Sequence, residues 1–181
     1  MSQPTNRIVF RSTSGWVSLA LVAVVSAVLL GDVAIRSSLY DAFLVAPWLL
    51  AVAWFVWVFS AWPQIDADSA GVRLRNPLRV IDIPWARVES IRLRFQAEFT
   101  LRDGGRVTAW GGAGRRMRGP RKNGGEDPAE LQVEALEQLH EESGPSDRAV
   151  SRTFDPLTVG IGVLVLIWLG GSVTLAGGLS I

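Results

Sequence analysis

Three apolar runs constrain this chain more than anything else in it: Trp16 to Ile35, Ala42 to Trp62 and Leu157 to Ile181. Each is long enough to cross a hydrocarbon core of about 30 Å as a helix. A backbone in lipid must satisfy its own N–H and C=O groups, so such runs are expected to be transmembrane helices. A cleaved signal peptide would carry a shorter apolar core, of about 7 to 15 residues, before a small-x-small site, so the first run is read as a retained span. Arg36 to Asp41 is a short polar turn, and the second run returns antiparallel to the first. Pro47 lies in its first turns, while Trp48 and Trp62 fall near its ends, where indole suits the membrane interface.

Between the second and third runs the period changes. Val72 and Leu74 alternate with Arg73 and Arg75, Ile91, Leu93 and Phe95 with Arg92, Arg94 and Gln96, and Phe99, Leu101, Val107 and Ala109 with Thr100, Arg102, Arg106 and Thr108. Successive strand side chains point to opposite faces, which predicts an antiparallel sheet with one buried face and one arginine-bearing face. Turns are expected at Asp68 to Gly71 and at Asn76-Pro77, with a hairpin at Asp103-Gly104-Gly105.

After Gly111 to Gly125, a basic glycine-rich loop, Asp127-Pro128-Ala129-Glu130 reads as a helix start, with Asp at the N-cap and Pro at the first helical position. Leu131, Ala135, Leu136 and Leu139 then mark the apolar stripe of an amphipathic helix over 128–142. The expected organisation is a polar tail over 1–15, a helical hairpin over 16–62 with spans at 16–35 and 42–62, a sheet-and-helix module over 63–142, a polar linker over 143–156, and a third span over 157–181.

Three pieces of the module carry a resemblance: Ala70-Gly71-Val72-Arg73-Leu74-Arg75-Asn76, then Ile83-Pro84-Trp85-Ala86-Arg87-Val88, then Asp103-Gly104-Gly105-Arg106-Val107. Together they resemble the bacterial pleckstrin-homology (PH) type domain, as found in small actinobacterial membrane proteins where it follows a hydrophobic hairpin. The three apolar runs and the resemblance together imply an α+β membrane protein: the runs give three transmembrane helices, and the resemblance a PH-like antiparallel barrel closed by one amphipathic helix. Such barrels host lipid, peptide and protein binding alike, so fold alone does not name a ligand.

Composition narrows the chemistry. Cysteine is absent and histidine occurs once, so neither a thiolate nor a His-rich metal site is expected, and no cofactor is implied. No nucleophile, base and orienting group fall together in the soluble part, so no enzyme is expected. Gly111 to Lys122 lacks the Gly-Lys-Ser/Thr ending of a phosphate-binding loop and the spacing of a dinucleotide fingerprint, and no nucleic-acid partner is implied.

The formal net charge of +1 conceals an asymmetry: Gly71 to Lys122 holds thirteen basic and four acidic residues, while Asn123 to Asp147 holds eight acids and no Lys or Arg. Arg73, Arg75, Arg92, Arg94, Arg102 and Arg106 are therefore candidates for anionic lipid or partner binding, joined by Arg115, Arg116 and Arg118 of the loop. The competing reading is a solvated outer sheet face, its arginines partly paired with Glu89 and Glu98.

In the spans, Ala23, Ala27 and Gly31, and likewise Gly170, Thr174 and Gly178, recur every four residues and would let helices approach closely, in a bundle or a homodimer. Asp32 is expected to pair with Arg36 near the span's end. Arg7 and Arg11 precede the first span, Arg148 and Arg152 precede the third, and only Arg36 lies in the turn. This bias predicts an inner-membrane protein with a cytoplasmic amino terminus and module. The expected role is a binding or scaffolding module for a membrane protein or anionic lipid. The alternative is an accessory subunit of a transporter or respiratory complex, with the helices as its main interface.

Overall fold

The structure is a computed structural model that describes residues 7–112, 128–144 and 148–178. The chain divides into two compact units: Met1–Ser12 with Trp62–Phe154, and Thr13–Ala61 with Asp155–Ile181.

The second unit contains the helices α1 (Thr13–Arg36), α2 (Leu39–Val56), which continues into a π-helical turn at Trp57–Ala61, and α4 (Pro156–Gly178). All three are long and apolar enough to cross a membrane. Helix α2 packs against both α1 and α4. Ser38 caps α2, its hydroxyl accepting from Asp41 N–H at 3.0 Å. Asp155 caps α4, accepting from the N–H groups of Leu157 and Thr158 at 3.1 and 3.4 Å. Asp32 and Arg36 pair at 2.5 Å, as their spacing predicts.

Close helix approach uses Gly15 and Gly162. A side chain on Gly15 would run into the Ser60 carbonyl, and one on Gly162 would meet the indole of Trp54 at 2.5 Å. That indole donates to the Thr158 carbonyl at 3.0 Å, which ties α2 to the first turn of α4.

The first unit is made of two antiparallel sheets that enclose one core in a barrel-like arrangement. The five-stranded sheet has the order β1 (Ile8–Arg11), β2 (Gln64–Ala67), β3 (Gly71–Asn76), β4 (Arg79–Pro84), β8 (Ser151–Phe154). The three-stranded sheet contains β5 (Val88–Leu93), β6 (Ala97–Leu101) and β7 (Arg106–Thr108). Ile65, Ala67, Val72, Leu74, Ile81 and Ile83 face inward from the first sheet, and Val88, Ile91, Phe99, Leu101 and Val107 from the second. Val88 and Ile91 are three residues apart yet both buried, which a bulge between Val88 and Ser90 makes possible.

Trp85, fully buried, donates its indole N–H to the Asp68 carbonyl at 2.6 Å and so fastens the core to the β2–β3 turn. Helix α3 (Pro128–Glu141) lies against β5. Its buried face is Ala129, Gln132, Val133, Leu136 and Leu139. Leu131, expected in that stripe, sits one position off it and is exposed.

Two further expectations change. Ile8–Arg11, expected in a polar tail, and Ser151–Phe154, expected in a linker, are the outermost strands of the five-stranded sheet. Four residues carry too short a period to read, but each pairs along its whole length, with β2 and β4 respectively. Phe95, expected to face the core, stands in the β5–β6 turn and is 73% exposed, because the chain reverses at Arg94 to Gln96, where Arg94 N–H donates to the Gln96 carbonyl at 3.2 Å.

The Asp103-Gly104-Gly105 hairpin forms as expected, with Gly104 at φ +82°. The Asn76-Pro77 turn also forms, but its last position is Leu78 at φ +63°, in the left-handed region that side-chain-bearing residues rarely occupy.

Candidate functional site

The barrel is closed at one end by Asn76, whose side chain donates to the Thr108 carbonyl at 2.8 Å and accepts from Trp110 N–H at 2.9 Å. The adjoining backbone follows the same path: Ala109 N–H donates to the Ala97 carbonyl at 2.9 Å, and Gly111 lies so close to Gln64 that a side chain there would overlap its backbone. The two sheets therefore meet along β3, the 108–111 segment and β6.

The candidate arginines divide between the sheets. Arg73 and Arg75 lie on the outer face of the five-stranded sheet, and Arg92 and Arg106 on the outer face of the three-stranded one. Arg94 is in the β5–β6 turn and Arg102 in the β6–β7 turn. They do not gather into one cradle. Arg94 and Arg106 flank Glu98 at 3.9 and 3.7 Å, so part of the second sheet's positive charge is answered locally. Arg115, Arg116 and Arg118 lie outside the described residues, as does the Asp127 N-cap.

On the first sheet, register puts Asp66, Arg73, Asp82 and Ser151 in one row across β2, β3, β4 and β8. Arg73 Nε donates to Asp82 at 2.5 Å. Arg7 closes the row from below β1, its Nε and Nη2 reaching the two Asp66 oxygens at 2.8 and 2.5 Å. The hydrogen bonds from Arg7 hold the Asp66 carboxyl below the usual carboxylate range although burial opposes them, and the bond to Asp82 raises Arg73. Arg7, Asp66, Asp68, Arg73, Asp82 and Arg148 line a groove of about 820 Å³. Its three acids balance its three arginines, so it is not a strongly positive site.

The opposite end of the same sheet is different. Arg11, Gln64, Arg75 and Val80 share one register row, and Asn76, Arg79 and Phe154 the next. The Arg75 guanidinium lies over the Trp62 ring and that of Arg79 over the Phe154 ring, each 5.4 Å from the centroid. Arg11 donates to the Gln64 side chain at 2.6 Å. Arg11, Arg79 and their aromatic neighbours were not singled out as site residues from sequence. Arg7 and Arg11 counted there only as charges flanking a span, because the strand that gives them a place is too short to read.

In the helical unit Ala23, Ala27, Gly170 and Thr174 are exposed, and no atom of the described residues outside their own helices lies within 4 Å of a side chain built on Gly31 or Gly170. The helix reaches Gly178. Among the described residues, no group of three or more His, Asp or Glu side chains is placed to hold a metal ion.

Residues 62–141 match the family model described as Bacterial PH domain. The match spans β2 through α3 and leaves out both outer strands, β1 and β8. No curated protein and no solved structure matches the chain.

Proposed function

We propose that the chain is a non-enzymatic binding or scaffolding module of a bacterial inner membrane, its PH-like barrel facing the cytoplasm and recognising a membrane-protein partner or anionic lipid. The observation that carries this reading is the way the five-stranded sheet is attached. β1 is separated from α1 by Ser12 alone, the π-helical turn from β2 by Trp62 and Pro63, and β8 from α4 by Asp155 alone. Three strands of one sheet thus run directly into three helices of membrane-crossing length. A module held at three points works at a high effective concentration toward the membrane and its neighbours, so individually weak contacts suffice.

The cytoplasmic orientation rests on Arg7, Arg11, Arg148 and Arg152 beside the spans, against Arg36 alone in the turn. Purification of the tagged full-length chain in mild detergent, with mass spectrometry of what accompanies it, tests the reading. Anionic lipid or a substoichiometric protein lost at high salt supports it; a chain that copurifies neither overturns it.

A second reading, an accessory subunit of a larger membrane complex, is favoured by the outward-facing small residues of α1 and α4, which the chain's own helices leave unpacked. On that reading a stoichiometric partner copurifies and is released by Gly170→Leu with Thr174→Leu, while the arginines matter little.

A further inference from the structure

Among the described residues of the barrel unit, five large apolar side chains are exposed: Val9, Phe95, Trp110, Leu131 and Phe154. Three of them gather at one end. Phe154 shares a register row with Arg79 and Asn76. Trp110 N–H is bonded to Asn76. The β5–β6 turn that carries Phe95 follows two strand spacings on, since Ala109 bonds to Ala97 and Ala97 pairs with Leu93. The β3–β4 turn, Pro77-Leu78, projects from the same end.

Acids are unevenly placed along the same axis. Arg11, Arg75, Arg79 and Arg94 lie at this end, while Asp66, Asp68, Asp82 and Asp103 lie toward the other, where Arg7, Arg73, Arg102 and Arg148 accompany them. Glu98 at this end is already engaged between Arg94 and Arg106, and Asp155, the residue after Phe154 in sequence, uses its carboxylate to accept the first N–H groups of α4.

Two observations say what this end meets. All three covalent exits to the apolar helices, at Arg11, Gln64 and Phe154, leave the sheet here, and each connection is only one or two residues. A residue spans at most about 3.6 Å, so none of these strand ends can lie far from where its helix begins. Then there is Leu78. A non-glycine residue in the left-handed region costs about 1–2 kcal/mol, which glycine would avoid. An apolar side chain held in that conformation, at the tip of this hairpin, fits a contact made outside the chain.

We propose that this end of the barrel is a headgroup-binding rim. Arg11, Arg75, Arg79 and Arg94 engage phosphate oxygens of anionic lipids in the membrane that the same chain spans, and Leu78, Phe95, Trp110 and Phe154 seat in the interfacial layer beside them. Guanidinium forks match phosphate geometry, and aromatic rings favour the headgroup level. The proposal rests on the membrane-tethered reading and specifies its surface: the lipid contact is the Pro77-Leu78 and Arg94 to Gln96 turns, not the sheet faces.

The chain contains no cysteine, so single nitroxide labels report without background. Leu78→Cys, Phe95→Cys and, at the opposite turn, Asp103→Cys are made in the full-length chain and reconstituted into vesicles of equal parts phosphatidylglycerol and phosphatidylcholine. The readout is collision with a neutral water-soluble nickel chelate, with vesicle cofloatation recorded on the same samples. The labels at 78 and 95, seated in the interfacial layer, are expected to collide severalfold less than that at 103. Adding Arg75→Glu, Arg79→Glu and Arg94→Glu is expected to remove that protection, as is vesicles of phosphatidylcholine alone, with the barrel's circular dichroism unchanged.

Equal collision at all three positions in cofloating vesicles overturns the rim and leaves the tethered module standing. Protection that survives charge reversal or the loss of anionic lipid overturns headgroup recognition. Failure of the chain to cofloat overturns both readings.

Discussion

Arg7 holds Asp66 by both edges of its guanidinium, Nε to Oδ1 at 2.8 Å and Nη2 to Oδ2 at 2.5 Å, across 59 positions of sequence that include two membrane-length helices. The Asp66 side chain is 9% exposed, so its charge depends on that partner. Across the outer face of the sheet, the pair fastens the residue ahead of β1 to β2.

Arg7→Ala is expected to destabilise the barrel unit at neutral pH, read by near-ultraviolet circular dichroism during denaturant unfolding of the full chain in micelles. The pH dependence has a definite sign. Because the folded state depresses the Asp66 pKa, the pair's contribution is present above the ordinary carboxylate value of about 4 and fades as pH falls through the folded value. The gap between wild type and variant should therefore close in acid; a gap that persists there would show that Arg7 acts through packing alone.

Asn76→Ala removes the two bonds that join β3 to the 108–110 segment. Both partners lie near solvent, so the loss should stay near about 1 kcal/mol. Asn76→Asp is the sharper comparison: it keeps an acceptor for Trp110 N–H but has no donor for the Thr108 carbonyl, and should recover only part of the loss.

Leu78→Gly should raise barrel stability by about 1 kcal/mol, since glycine takes φ +63° without the Cβ clash. Thermal unfolding in micelles measures it. A loss of stability instead would mean that Leu78 packs within the barrel strongly enough to outweigh the strain.

Trp85→Ala should cost about 3–5 kcal/mol and yield little folded protein, since it removes the largest buried side chain. Trp85→Phe keeps much of the ring and loses the bond to the Asp68 carbonyl, so the difference between the two variants separates packing from anchoring.

Gly162→Leu would drive a side chain into the Trp54 indole and is expected to destabilise the helical unit by about 1–3 kcal/mol, read by loss of helicity in a detergent titration. Gly170→Leu, where space is open, should leave the isolated chain unchanged.

Much of the fold was legible because its signals are local. The apolar runs, the period-two alternation of β3, β5 and β6, the Asp103-Gly104-Gly105 hairpin and the Pro-Trp step at Pro84-Trp85 each occupy a few consecutive residues. What escaped was non-local. Ile8–Arg11 becomes a strand only through partners at Gln64–Ala67, and Ser151–Phe154 through partners at Arg79–Asp82. Phe95 continues the alternation on paper, yet the chain has already reversed, and period alone does not mark where a strand ends.

The distribution of the arginines was hidden for a related reason. Alternation tells which face of its own strand a residue takes, not which sheet that strand joins, so Arg73 and Arg92 read as companions although they lie in different sheets. The small residues at Ala23 and Ala27 have the spacing of a contact stripe, but only the partner helix decides which stripe is used, and α1 turns Gly15 toward its neighbour.

On the membrane-tethered reading proposed above, pairing of β1 with β2 also bears on how the chain would enter a membrane. Ile8–Arg11 is synthesised before Gln64–Ala67 and must wait through both helices of the hairpin before that strand exists to receive it. The two strands can zip together only if the polypeptide has come back to the side it left, that is, after an even number of crossings. β8 imposes the same condition on the segment before the last helix. A misthreaded hairpin would strand β1 across the bilayer, leaving β2 with a bare edge. Sheet closure thus serves as a parity check on insertion.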